Sequence, residues 1–184
     1  MNPYDYPSRE PCFDLHLKET TSTWSHYEVE FASAHPTRYQ ESNTARGEYF
    51  MPHRGNHFPF VILLHALGDK SLIPCRMLAR HLAKRGIASF TLYLVFHSSR
   101  MPKVMKGQFL PQSLSEWLEA FQVSVIDVRQ VIDWAKDKAE IDSEQIAVIG
   151  MSMGGLASAI AMGVDKRIKA GIFITTGGNL EEIT

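Results

Sequence analysis

Residues 148–156 read Val-Ile-Gly-Met-Ser-Met-Gly-Gly-Leu, and no other stretch of the chain narrows its fold as much. An apolar run leads in. A serine then stands between two glycines, Gly150-Met151-Ser152-Met153-Gly154, and a small-residue run leads out. Gly-x-Ser-x-Gly in that setting is the chemistry of a nucleophile elbow: a strand, a sharp turn with the serine at its tip, then a helix. The tip residue takes a strained backbone conformation, so the residues two positions away on either side must be small. Gly150 and Gly154 supply that room, and Gly155 lets the following helix approach the sheet. The competing reading is a glycine-rich turn in which Ser152 only caps a helix.

The remainder of the chain alternates strands and helices. Residues 1–25, with Pro3, Pro7 and Pro11, are read as an irregular arm. Residues 26–33 alternate, with Tyr27, Val29 and Phe31 against His26, Glu28 and Glu30, as a half-buried strand does. A second strand is expected over 45–51. Residues 60–64, Phe-Val-Ile-Leu-Leu, form a continuous apolar run of the kind that suits a strand covered on both faces. A helix over 71–85 carries Met77, Leu78 and Leu82 and is stopped by Gly86, and a strand over 87–94 follows. The long helix predicted over 115–138 repeats Trp117, Phe121, Val125, Val128, Ile132 and Ala135 at spacings of three and four. Short strands over 146–149 and 170–175 flank the elbow helix over 156–162. Strand–helix–strand units demand parallel pairs. The fold class is therefore α/β, a three-layer α/β/α sandwich with a mostly parallel sheet, in one domain over 26–184.

Composition removes several function classes. The 184 residues carry a formal net charge of −1, which gives no electrostatic case for nucleic acid or an anionic membrane. No apolar run approaches the roughly 20 residues of a membrane span. No signal peptide is read in the polar, Pro-rich residues 1–10. Cys12 and Cys75 form no metal or redox motif. A disulfide between them stays open, but a reducing, cytoplasmic setting is the simpler reading. Neither metal nor cofactor is called for.

A serine hydroxyl is a poor nucleophile without a base. Acyl transfer further needs two backbone N–H groups aimed at the developing oxyanion. One comes from the residue after the nucleophile, here Met153. The other comes from a loop after an earlier strand. His65-Ala66-Leu67-Gly68 directly follows the 60–64 run, and Leu67 is the candidate second donor. His65 is read as shaping that loop rather than as the base. Tyr93 and His97, near a strand end, are candidates to line a substrate cleft. Arg100, Lys103 and Lys106 are read as a solvated basic loop, with recognition of an acidic substrate group as the alternative.

In this order and spacing, the His65 loop and the Ser152 elbow resemble the α/β-hydrolase family over roughly residues 26–179. That family's first loop reads His-Gly-x-Gly, and here Ala66 replaces the first glycine. His97, Arg100, Phe121, Asp127, Arg129, Ile132 and Trp134 extend the resemblance toward dienelactone hydrolases and acylaminoacyl-peptidase catalytic domains. The resemblance implies an esterase, lipase or peptidase that takes a small acyl substrate. It also implies an acid and a histidine after the nucleophile. The acidic residues after Ser152 are Asp165, Glu181 and Glu182, and the last histidine is His97. The implied object is a hydrolase fold without its last strands, lacking acid and base. Two other readings stay open. One is a non-catalytic binding module, with a partner chain or self-association at the exposed edge of the 170–175 strand. The other is an inactive fragment.

Overall fold

A computed structural model describes residues 2–7, 12–69, 71–105 and 113–176. Lys106, residues 177–179, Glu181 and Glu182 lie outside the described residues. Seven strands form one sheet: β1 (Phe13–Thr20), β2 (Trp24–Ala32), β3 (Thr44–Pro52), β4 (Phe58–Leu64), β5 (Ala88–Leu92), β6 (Ile141–Met151) and β7 (Ile168–Ile174). Their order is β1-β2-β3-β5-β4-β6-β7. The expected parallel sheet occupies β5, β4, β6 and β7. Strands β1 to β3 form an antiparallel wing that joins it through β3 and β5.

Successive residues of a strand point to opposite faces, and β4 supplies a core to each. Val61 and Leu63 pack with Cys75, Ala79 and Ala83 of helix α1 (Ile73–Ala83). Phe60, Ile62 and Leu64 pack on the other side with Val123, Val128 and Ile132 of α2 (Leu114–Lys136) and with Ala157 and Ala161 of α3 (Met153–Val164). The result is the three-layer sandwich. Helix α2 starts where Ser113 Oγ accepts the Glu116 N–H, a side-chain cap at its first turn.

Three elements differ from the sequence reading. Residues 13–20, read as part of an irregular arm, form β1. Phe13 and Leu15 pair opposite Phe31 and Val29, and the Phe13 ring stacks on Phe31 and Trp134. Strand β6 begins at Ile141, not near 146. Its register against β4 jumps from the Phe58–Ile141 pair to the Phe60–Ile146 pair, so the polar residues between bulge out of the ladder.

The third difference is electrostatic. Arg100 is fully buried, not solvated and not turned toward a substrate, whereas Lys103 is exposed. Arg100 Nη1 lies 2.8 Å from Oδ2 of the equally buried Asp127. Its remaining donors go to Ser42 O at 2.8 and 3.1 Å and to Tyr93 O at 2.8 Å. Ser33 Oγ donates to the other Asp127 oxygen at 2.6 Å. The planar guanidinium, always charged, thus ties the segment after β5 to α2 and to the β2–β3 connection. Removing one partner strands the other charge in the interior. Asp127→Ala is expected to cost about 3–5 kcal/mol, read as a lowered midpoint in urea unfolding.

Candidate active site

Strand β4 is where the winding of the sheet reverses. The chain leaves it through α1 to β5 on one side and returns to β6 on the other. In open α/β sheets, ligands bind at the carboxyl ends of the strands flanking such a switch point. Leu64, the last residue of β4, is in register with Gly150. The loop after β4 and the turn after β6 therefore emerge side by side.

The turn after β6 has the geometry of an elbow. Ser152 holds φ 50° and ψ −118°, and α3 starts at the next residue. A Cβ on Gly150 would lie 2.2 Å from Gly154 O and 2.5 Å from Ser158 Oγ. A Cβ on Gly154 would lie 2.5 Å from Leu64 O and from His65 O. Neither distance leaves space for a side chain, so both glycines are required by close approach of backbone to backbone. Gly155 is needed for a more local reason than helix–sheet packing. Its missing Cβ would meet Thr176 Oγ1 at 1.9 Å. The Ser152 N–H donates to Ile174 O at 2.9 Å, and Ser152 O accepts the Gly155 N–H at 2.8 Å. Among the described residues, Ser152 Oγ makes no hydrogen bond, and Ser152 is partly exposed.

His65 is buried at the start of the other loop. Leu94 N–H donates to its Nε2 at 3.1 Å, so the proton resides on Nδ1, which donates to Ala66 O at 2.8 Å. Burial pushes its pKa down to about 4, despite the opposing bond to Ala66. Both ring nitrogens are engaged and the ring is neutral, as a loop-shaping residue requires. The His97 ring stands edge-on to it at 5.1 Å and donates Nδ1–H to Val95 O. Burial also lowers the His97 pKa. Gly68 carries the turn at φ 72°. Asp69 closes it, accepting the Ser71 and Leu72 N–H groups at 3.1 and 2.9 Å. Among the described residues, no turn or loop hydrogen bond takes up the Leu67 or the Met153 N–H.

The structure thus brings Ser152, Met153, Gly150 and Gly154 beside the loop of His65, Leu67 and Gly68. It takes other candidates away. Asp165 is spent on Arg167 at 2.6 Å and Arg129 at 3.3 Å, at the end of α3 remote from the elbow. The Tyr93 hydroxyl donates to buried Glu48 instead of facing a cleft. Glu48 also receives Arg76 Nη2 at 2.6 Å, and His26 Nε2 lies 3.1 Å away. Burial alone would raise the Glu48 pKa, but His26, Arg76 and Tyr93 together hold it at about 2. Arg76 donates in addition to Ser71 O, so this cluster anchors the end of the His65 loop. Neither the cluster nor Thr176 was visible in the sequence, because each joins residues far apart in it. Among the described residues, no group of three or more His, Cys, Asp or Glu side chains could hold a metal ion.

No curated protein matches the chain. Solved structures do. Acetyl xylan esterase from Paenibacillus sp. R4 is 19% identical with a TM-score of 0.68, over 89% of this chain and 53% of that one. Acetyl xylan esterase 1 from Thermoanaerobacterium sp. JW/SL YS485 is 16% identical with a TM-score of 0.68, over 92% and 54%. A cold-adapted esterase from an Arctic intertidal metagenomic library is 22% identical with a TM-score of 0.63, over 84% and 62%. The chain spans about half the length of the first two. At these identities the likeness shows the α/β-hydrolase fold. The model of the family described as Alpha/beta hydrolase domain containing 18 matches residues 5–174, and the chain belongs to that family.

Proposed function

We propose that this chain carries the nucleophile and oxyanion hole of a serine hydrolase acting on an ester, thioester or amide bond. The observation that supports it best is Ser152 at φ 50° between two glycines that tolerate no Cβ. A strained non-glycine residue persists only where its surroundings over-determine it, and such residues gather at active sites. Likeness to proteins named as esterases favours an ester among the acyl substrates.

In this reading, Ser152 Oγ adds to the substrate carbonyl, and the oxyanion settles between the Leu67 and Met153 N–H groups. The Leu67 donor is aimed by His65. A trans peptide is planar, so its C=O and N–H point in opposite directions. His65 Nδ1–H holds the Ala66 C=O, which turns the Leu67 N–H the other way. Attack also needs a base to take the serine proton and return it to the leaving group. His65 is fully engaged, and His97 gives its Nδ1–H to the backbone. Among the described residues no acid or base is assigned to Ser152. Water then releases the acyl group. The free thiols of Cys12 and Cys75 support a reducing, cytoplasmic setting. No described helix is long and apolar enough to cross a membrane.

The outer edge of β7 favours a second reading, a surface for another strand. Among the described residues no strand pairs with that edge, Ile172, Phe173 and Ile174 of β7 are all more than 40% exposed, and an unpaired edge is a template for pairing. Self-association there predicts an apparent mass that rises with concentration in size-exclusion chromatography. A monomer at every concentration contradicts it.

Two measurements address the hydrolase. With no base assigned to it, Ser152 is expected to be labelled only weakly by a fluorophosphonate probe, and Ser152→Ala to abolish that label. Equal labelling of the two sinks the assignment. The second concerns pH. The His65 imidazole titrates near 6.5 when unfolded and about 4 when folded, so between these values the unfolded chain binds the proton first. Stability is therefore expected to fall as pH drops through that window, by up to about 3 kcal/mol from this group. Urea midpoints measured across the window test it, and a flat profile contradicts it.

A further inference from the structure

Ser152 is not the only strained residue at the elbow. Thr175, which follows β7, holds φ 50°, a conformation that β-branched residues rarely adopt. The turn it makes brings Thr176 back against the first turn of α3, into the notch left by Gly155. From there Thr176 Oγ1 lies 3.3 Å from Ser152 O and 3.1 Å from Ile174 O. Ile174 O is also the acceptor of the Ser152 N–H. Thr176 therefore sits across the hydrogen bond that ties the tip of the elbow to the neighbouring strand.

We propose that Thr176 is a positioning residue for the active site, its hydroxyl donating to Ser152 O or to Ile174 O. The proposal rests on the nucleophile reading above. A hydroxyl carries one hydrogen, and either carbonyl can take it. Given to Ile174 O, the hydrogen steadies the acceptor of the Ser152 N–H; given to Ser152 O, it holds that carbonyl directly. The peptide group before the Ser152 Cα is held through the Ser152 N–H on Ile174 O. The group after it is held through Ser152 O, which also accepts the Gly155 and Leu156 N–H groups at 2.8 and 3.2 Å. That second group ends in the Met153 N–H. Because the peptide is planar and trans, holding its carbonyl fixes the direction of that donor. One side chain thus bears on the peptide groups on either side of the nucleophile, through one carbonyl or the other, without touching the reacting hydroxyl. Thr176 acts on Ser152 from one side as His65 acts on Leu67 from the other.

The test uses two variants of the full chain. Thr176→Val removes the hydroxyl at nearly constant volume, and Thr176→Ser keeps it. Hydrogen exchange followed by NMR is expected to show the Ser152 amide exchanging about tenfold faster in Thr176→Val, with the amides of β4 unchanged. In Thr176→Ser the Ser152 amide stays within about twofold of wild type. Fluorophosphonate labelling adds a second readout. The rate at saturating probe falls about tenfold in Thr176→Val and not in Thr176→Ser, while the half-saturating probe concentration is unchanged. An unaltered Ser152 exchange rate in Thr176→Val overturns the proposal. So does equal acceleration of Ser152 and the β4 amides, or a serine variant that loses as much as the valine variant. If Ser152→Ala labels like wild type, the nucleophile reading fails by itself, and the exchange measurement still decides Thr176.

Discussion

Two stretches of backbone meet with no side chain between them where β4 ends and α3 begins. Leu64 O and His65 O stand where a Cβ of Gly154 would be, and Gly154 O stands where a Cβ of Gly150 would be. A single added methyl at either position forces β6, α3 or the β4 end to move. This contact seats the Ser152 turn against the loop of Leu67, on the strand beside which the winding reverses. The φ of Ser152 follows from it. A chain that must leave β6 and start a helix within one residue, against a neighbouring carbonyl, has no relaxed way to do so.

Aim matters as much as place. Catalytic donors help most when they already point at the developing charge, so that nothing reorganises during reaction. Here the two proposed donors are controlled from behind. The Ala66 carbonyl is held by His65, and the Ser152 carbonyl by the first turn of α3 with Thr176 beside it. Neutral His65 fits this arrangement as charged His65 does not. Protonated Nε2 would face the Leu94 N–H donor to donor. The buried Glu48 and Arg100 clusters serve the same end at longer range. One pins the start of α1 through Arg76, and the other pins the segment of His97 to α2. Each carboxylate is costly in the interior and tolerable because its oxygens are paired.

Much of this was legible in the sequence, for a physical reason. Period-two alternation in β2, the apolar run of β4 and the three-and-four spacing of α2 are local signals, and the elements they predict exist. The elbow was legible because steric need writes itself into glycines at fixed offsets from the serine. What failed to show depends on contacts distant in sequence. Phe13 and Leu15 alternate as β2 does, yet the prolines before them masked a strand that exists by pairing with β2. Arg100 read as solvated because nothing near it in sequence announces Asp127, Ser42 or Tyr93 as its partners. Gly155 was assigned to helix packing because Thr176, the residue that fills its notch, belongs to a different strand end.

The same geometry makes the elbow unequal in its supports. On one side it leans on β4, which is paired on both edges and fully covered. On the other its N–H is held by Ile174, the last residue of β7, whose outer edge has no pairing strand among the described residues and whose apolar side chains are exposed. Local stability in proteins tracks buried apolar contact and protected backbone bonds, so β7 is the weaker wall. The conformation of Ser152 therefore inherits the stability of an edge strand. Whatever adds a strand to β7 would stiffen Ile174, and through Ile174 and Thr176 it would stiffen the serine. Ser152 and the open edge of the sheet, which look like separate features, are joined by one carbonyl.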